Sequence, residues 1–433
     1  MYNIKELMDF LDGSLTSYHA VENMKTMLEK AGFEGIGENE LWKIECGKAY
    51  YCIRNASSLI AFRIPDNETG NIKGFHVYAA HSDSPAFKVK DIPELTKEGI
   101  YACLNVEKYG SMILSTWFDR PLGIAGRVCV DKDGEITSYA VRLKDNFCII
   151  PNVAIHLNRE VNEGTSYNVQ NDMIPLVSTG VCGDDAHTFT ALLAKELSRQ
   201  TGEKYDADDI LAYDMYAVNS QKAVLAGEND EFIMSARYDD LGCVYAGLKG
   251  ILDAKPQEYI DIFAVFDNEE VGSLTRQGAD STFFKDTLEN IADALGVSDA
   301  VYRIWKSGSF MLSADNAHAC HPNYASKYDP VNRPYINKGI VLKHHGGQKY
   351  ATDAYSAAYF RRHCRKNDIP VQDYANHSNI AGGSTLGNIS MAQVSMPAAD
   401  IGLAQLAMHS AYETAGVKDM EYMLKLTSTF FAL

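Results

Sequence analysis

The sequence predicts an α/β protein in which a mixed sheet is flanked by helices and a β-rich domain is inserted into it. Three observations carry this. In the second half, short apolar segments (IDIFAVFD, SFMLSAD, KGIVLKH, IPVQDYAN) alternate with helical patterns such as DAYSAAYFRRHCRKND, as strands covered by helices do. From about residue 93 to 227 the pattern changes to short β-rich segments, GIYACLNVE, SMILSTWF, GRVCVD and EITSYAVRL, separated by turn residues. The chain also has 433 residues, more than the roughly 250 to 300 at which a single core usually stops growing.

Each element follows from its local pattern. At the N-terminus Ile4, Leu7, Met8 and Leu11 recur at helical spacing among charges, which reads as an amphipathic helix and not a signal peptide. The inserted region, 93–227, carries one long helical pattern over DDAHTFTALLAKELSRQTG. Residues 1–92 and 228–433 then form the main domain. Near the C-terminus, Asp400 to Ala415 (DIGLAQLAMHSAYETA) spaces its apolar residues as a helix would, after an acidic cap, and stops at Gly416.

Composition narrows the function. Lys+Arg 40 against Asp+Glu 57 leaves a net charge of -17, which repels phosphate backbones and argues against a nucleic-acid partner. The longest stretch free of Asp, Glu, Lys and Arg, Ala375 to Ala399, is broken by Gly, Ser, Asn, Gln and Pro, so no membrane span is expected. The nine cysteines are scattered, without a CxxC pair. They read as reduced thiols in a cytoplasmic protein.

Several segments place an imidazole or carboxylate where a strand ends or a helix begins: His81 and Asp83 in HVYAAHSDSP, Asp239 in SARYDDLG, Glu269 and Glu270 in FAVFDNEEVGS, Asp315 in FMLSADNAHACHPNY, and His409 in AQLAMHSAYE. Ligands bind outside the carboxyl ends of strands in open α/β sheets, so these residues can converge on one crevice. A pair of zinc ions needs one bridging carboxylate and a mixture of imidazole and carboxylate to complete each shell. The reading assigns Asp239 to the bridge, His81 and Glu270 or Asp315 to terminal positions, and His409 to the remaining one. Glu269 is left as general base, and Asp83 accepts the other ring N–H of His81. Taken singly, each has a structural alternative: His409 as a core residue on an apolar helix face, the Glu pair as a helix N-terminus, Asp315 as an N-cap.

The order of the set resolves this. HVYAAHSDSP, WFDRPLGIAGRV, AIHLNRE, SARYDDL, FDNEEVGS, SADNAHACHPNY, KYATDA and the late His409 run in the order seen in the aspartyl aminopeptidase family of metallopeptidases, which the chain resembles over nearly its whole length and which includes a yeast vacuolar aminopeptidase. The resemblance implies a zinc-exopeptidase-type catalytic domain, an inserted dimerisation domain, and a dodecamer built from dimers. It implies two Zn2+ per subunit, with Mn2+ or Co2+ as possible substitutes, held by His81, Asp239, Glu270, Asp315 and His409, and Glu269 as base. It further implies that His156 of AIHLNRE reaches a neighbouring subunit's active site, and that His318 and His321 assist at the oxyanion or the substrate pocket; the sequence alone allows a structural strand-end role for His156 and equally a turn-stabilising role for His318 and His321.

Substrates are then short peptides with a free N-terminus. Lys343 in GIVLKHHGG matches the family's lysine for an acidic N-terminal side chain, and Tyr350 matches a tyrosine of the same pocket. An ammonium facing a substrate carboxylate supplies the cation that an acidic protein needs there. Against the usual family pattern, Asn268 stands in place of His, Asp240 in place of Asn, and Lys327, Tyr328 and Asp329 follow HPNY. None is a proposed ligand. The alternatives are a broad or neutral-residue aminopeptidase with the same chemistry, and an inactive assembly or cargo scaffold.

Overall fold

The structure, a computed structural model, describes residues 3–180 and 188–432. Its centre is a nine-stranded mixed sheet. Strand Gly74–His81 lies in the middle, parallel to Tyr259–Phe266 on one side and to Phe310–Ala314 on the other, and Phe310–Ala314 pairs in parallel with Ala398–Gly402. Antiparallel strands extend it at both ends: Ser58–Arg63 joins Tyr259–Phe266, and Ile340–His344 joins Ala398–Gly402.

The pleat explains the two layers of core. All eight residues of Gly74–His81 are buried, because helices cover both faces. Tyr78 and Ala80 point into one layer, with Phe263, Leu312 and the helices Ile4–Gly13, Tyr238–Asp253 and Val417–Phe430. Phe75, Val77 and Ala79 point into the other, with Ile262, Met311 and the helix Phe283–Ala294. Fully burying each of the larger side chains contributes about 1.5–3 kcal/mol relative to exposure. The amphipathic N-terminal helix forms as expected, capped by the Asn3 side chain, which accepts from Lys5 N at 3.1 Å.

Strands between Ala86 and Asn219 form a separate seven-stranded sheet. Pairing of Ile210–Asn219 with both Ala86–Lys97 and Pro121–Lys132 closes it on itself, around a core of its own that includes Phe87, Val106, Ile124, Val128 and Met215. Its first strand starts before the expected boundary at residue 93. The helix within this region covers Phe189–Thr201, capped by Thr188; the start of its expected span, Asp184 to His187, lies outside the described residues.

Two expectations fail. SMILSTWF is not a strand but contains a 3-10 turn, Leu114–Trp117, in which Thr116 Oγ1 donates to the Ile113 carbonyl at 2.7 Å. Such local bonds compete with a sheet ladder. Asp400 to Ala415 is not a helix either: it holds the end of strand Ala398–Gly402, then Ala404–Leu406, a turn, and the start of Glu413–Gly416. The strand Ala398–Gly402 is buried on both faces, and a strand without polar alternation followed by a second short one mimics helical spacing. The last two strands belong to a small five-stranded sheet with Glu413–Gly416 at its centre, between Phe232–Ser235 and Ala404–Leu406.

Candidate active site

The parallel strands end together, and residues at or just past each end reach the same cleft. His81 is the last residue of Gly74–His81, and Asp315 immediately follows Phe310–Ala314. Glu269 and Glu270 form a one-turn 3-10 helix just after Tyr259–Phe266. Asp239 lies at the head of the helix Tyr238–Asp253, where the backbone departs from helical angles at Asp239 and Asp240. His409 sits in the turn before Glu413–Gly416 with φ 64°, so a turn and not a helix face presents it.

These groups meet in two triads that share Asp239. Ligand atoms of His81, Asp239 and Asp315 lie within 4.8 Å of one another, as do those of Asp239, Glu270 and His409. His81 Nε2 is 3.7 Å from Asp239 Oδ1 and 3.9 Å from Asp315 Oδ1. His409 Nε2 is 3.8 Å from Asp239 Oδ2 and 3.3 Å from Glu270 Oε2. Each oxygen of Asp239 therefore faces a different imidazole. The sequence left Glu270 and Asp315 as alternatives; the geometry puts Asp315 with His81 and Glu270 with His409.

The site fits a pair of cations. Asp239 Oδ1 and Glu270 Oε1 are buried without a hydrogen-bond partner, a state that buried carboxylates rarely tolerate without a counterion. Burial and the charge of Asp239 push Glu270 well above the usual carboxylate range, and burial, helped by Asp315, Asp83 and Asp239, pushes Glu269 up to about 8. Positive charge would relieve both. The mixed nitrogen and oxygen donor set suits zinc.

Supporting contacts fix these side chains. His81 Nδ1 lies 3.0 Å from the Asp83 carbonyl, nearer than the 3.4 Å to its carboxylate, so the backbone oxygen takes the ring N–H and leaves Nε2 for metal. The Asp83 carboxylate instead accepts from Glu269 N at 3.1 Å and Glu270 N at 3.2 Å. Glu413, which spacing did not single out, accepts from Asp239 N at 3.0 Å and His409 N at 2.8 Å, joining the residue that the two triads share to the imidazole of the second.

The cleft encloses about 510 Å³, and His318, Lys343, Tyr350, Tyr374 and Thr385 line it beside the triads. Lys343 is buried, 3.3 Å from Asp315 Oδ2 and 5.6 Å from the centre of the Tyr350 ring. Burial alone would lower its pKa, but Asp315, Tyr350, Asp400 and Asp239 hold it above the usual lysine value. His321 is not among the lining residues. It belongs to a turn, where Nδ1 accepts from Asn323 N at 3.1 Å and the ring packs on Tyr324. His156 is exposed in the segment 151–160 of the inserted region, outside the cleft of its own chain.

Comparison with known proteins covers the same span. A profile of the family described as Aminopeptidase I zinc metalloprotease (M18) matches residues 10–431. A probable M18 family aminopeptidase 2 from Clostridium novyi (strain NT) is 40% identical over 433 residues, covering 99% of this chain and 98% of the relative. Among solved structures, the Ape4 and Nbr1 complex offers a chain 34% identical with a TM-score of 0.94, covering 99% of this chain and 85% of that one. A dodecamer of S. cerevisiae mApe1 matches at 27% identity and a TM-score of 0.84, covering 99% and 95%.

Proposed function

The chain belongs to the M18 family of zinc metallo-aminopeptidases, and from that premise we propose that it removes acidic N-terminal residues from short peptides with two zinc ions per subunit. The observation that carries this reading is the sharing of Asp239 between two triads, the arrangement that a two-metal clamp requires. His81 and Asp315 would hold one ion, Glu270 and His409 the other, with Asp239 between them. When bound, the pair supplies Lewis acidity to the scissile carbonyl and lowers the pKa of the attacking water.

The chain's own residues do the rest. Glu269, anchored through its N–H to Asp83, faces the cleft as the base that takes the water's proton and passes it to the leaving amine. Burial pushes its carboxyl up to about 8 without cations, and bound cations would draw it down from there towards a value that suits a group that must accept and then release a proton. The carboxylates around the triads receive the substrate's free α-amino group, which confines cleavage to the first bond. His318, on the cleft wall, would donate to the developing oxyanion. Lys343 supports the acidic preference: it is the buried cation of the pocket, with Tyr350 against it.

Assembly into a homododecamer built from dimers is part of the same proposal. The mApe1 dodecamer supports it, as do Val153, Ile155 and Leu157, exposed by 59%, 47% and 83% around His156. In such an assembly His156 would serve a neighbouring subunit. Free buried thiols such as Cys52, Cys148 and Cys364 support a cytoplasmic location. No described helix is long and apolar enough to cross a membrane.

The direct test is Glu269→Gln assayed on Asp-, Glu- and Leu-linked chromogenic substrates. Turnover should fall by at least about 10³-fold with metal content and melting temperature kept. No turnover by either the unaltered chain or the variant would leave the scaffold reading standing, and equal turnover by both would remove Glu269 as the base. Faster hydrolysis of the Leu-linked substrate by the unaltered chain would replace the acidic preference with a neutral one.

A further inference from the structure

One support of the centre comes from the other sheet. Tyr109 is the last residue of strand Tyr101–Tyr109 in the closed seven-stranded sheet, and its hydroxyl donates to Asp83 Oδ2 at 2.6 Å. The same hydroxyl accepts from Asn268 Nδ2 at 2.8 Å. Asn268 is itself held: its Oδ1 accepts from Thr275 Oγ1 at 2.7 Å and Gln277 Nε2 at 2.8 Å, and its backbone takes the left-handed region at φ 63° that Asn tolerates. Donation thus runs in one direction, from amide to phenol to carboxylate, and Asp83 completes its shell with the backbone N–H groups of Glu269 and Glu270.

We propose that Tyr109 and Asn268 are positioning residues that hold Asp83, and through it the Glu269–Glu270 turn, so that the inserted sheet sets the catalytic geometry of its own chain. The inference rests on the reading of Glu269 as base and Glu270 as ligand. Asp83 is 4% exposed, so bulk water does not replace a lost donor. Neither Tyr109 nor Asn268 lines the substrate cleft, so their effect must pass through Asp83. The Tyr109 ring packs edge-on to Tyr216 at 5.6 Å, a contact that phenylalanine preserves.

The test compares Tyr109→Phe, Asn268→Ala and the double variant with the unaltered zinc-loaded protein. Three quantities are read: kcat and KM on the best substrate, and zinc affinity by competition with a chromogenic chelator. Each single variant should lose about 10- to 100-fold in kcat, the range typical of groups that orient metal ligands, with KM within about two-fold. Zinc affinity should weaken about ten-fold. The double variant should be no worse than the worse single one, because both residues act along one path. The proposal is overturned if Tyr109→Phe keeps the original kcat and zinc affinity, if the loss lies in KM alone, or if the two losses multiply. Should the unaltered protein show no zinc-dependent aminopeptidase activity, the functional reading fails, and the chelator competition still decides this one.

Discussion

Asp315 divides its two oxygens between partners: Oδ1 faces His81 Nε2 at 3.9 Å, and Oδ2 faces the Lys343 ammonium at 3.3 Å. A proposed metal ligand and a proposed substrate-recognition group are therefore one electrostatic unit. An ammonium on Oδ2 leaves Oδ1, beside His81, free for metal.

Lys343→Met should therefore have two effects. The ratio of kcat/KM for Asp-linked over Leu-linked substrates should fall by about 10- to 100-fold, the worth of one hydrogen bond to a charged group. Zinc should also bind more weakly. A variant that loses zinc affinity with its substrate ratio unchanged would make Lys343 a support of Asp315 only.

Glu269 predicts a pH profile. A base acts ionised, so kcat/KM should fall as pH drops through its pKa. Bound cations stabilise the carboxylate, so in the loaded enzyme that midpoint should lie below the metal-free value of about 8. A profile without an acid limb that Glu269→Gln removes would count against this role.

The same shift has a sign for stability. Burial raises Glu269 and Glu413 each from an ordinary 4.5 to about 8, so the metal-free fold favours their protonated forms. Their contribution is complete below the unfolded value and is lost as pH rises through the folded one. Thermal melts of the chelator-stripped protein should show the melting temperature falling between about pH 5 and pH 8, and saturating zinc should reduce that slope. A flat or rising curve for the stripped protein would contradict the burial of these groups without countercharge.

Gly402→Ala should disturb the metal without touching it. A Cβ at Gly402 would collide with the backbone carbonyl of Asp315, and Asp315 N bonds the neighbouring strand through the Ile401 carbonyl at 3.0 Å. The displaced ligand should reduce zinc affinity by about ten-fold or more, measured by chelator competition, with the substitution destabilising the fold by about 1–3 kcal/mol.

Much of this centre could be read from the chain because strand ends are marked locally: an apolar run stops, and an imidazole or carboxylate comes next, as at His81, Asp315 and Glu269. Pairing could not be read. Asp315 and Glu270 offer the same chemistry, and only the crossing of strands decides which joins His81. His409 entered the set in the wrong element, since a doubly buried strand loses the alternation that distinguishes it from a helix. Glu413 and Tyr109 escaped notice, and Asn268 stood out only as a departure from the family pattern, because they act on backbone N–H groups or on other supports, and such contacts leave no spacing pattern.

If Asp239 is shared by two metal sites, titrating the chelator-stripped protein with zinc in a calorimeter should give two equivalents per chain for the unaltered protein and loss of high-affinity uptake at both sites in Asp239→Ala. A single equivalent in the unaltered chain, or a variant that keeps one site intact, would contradict it.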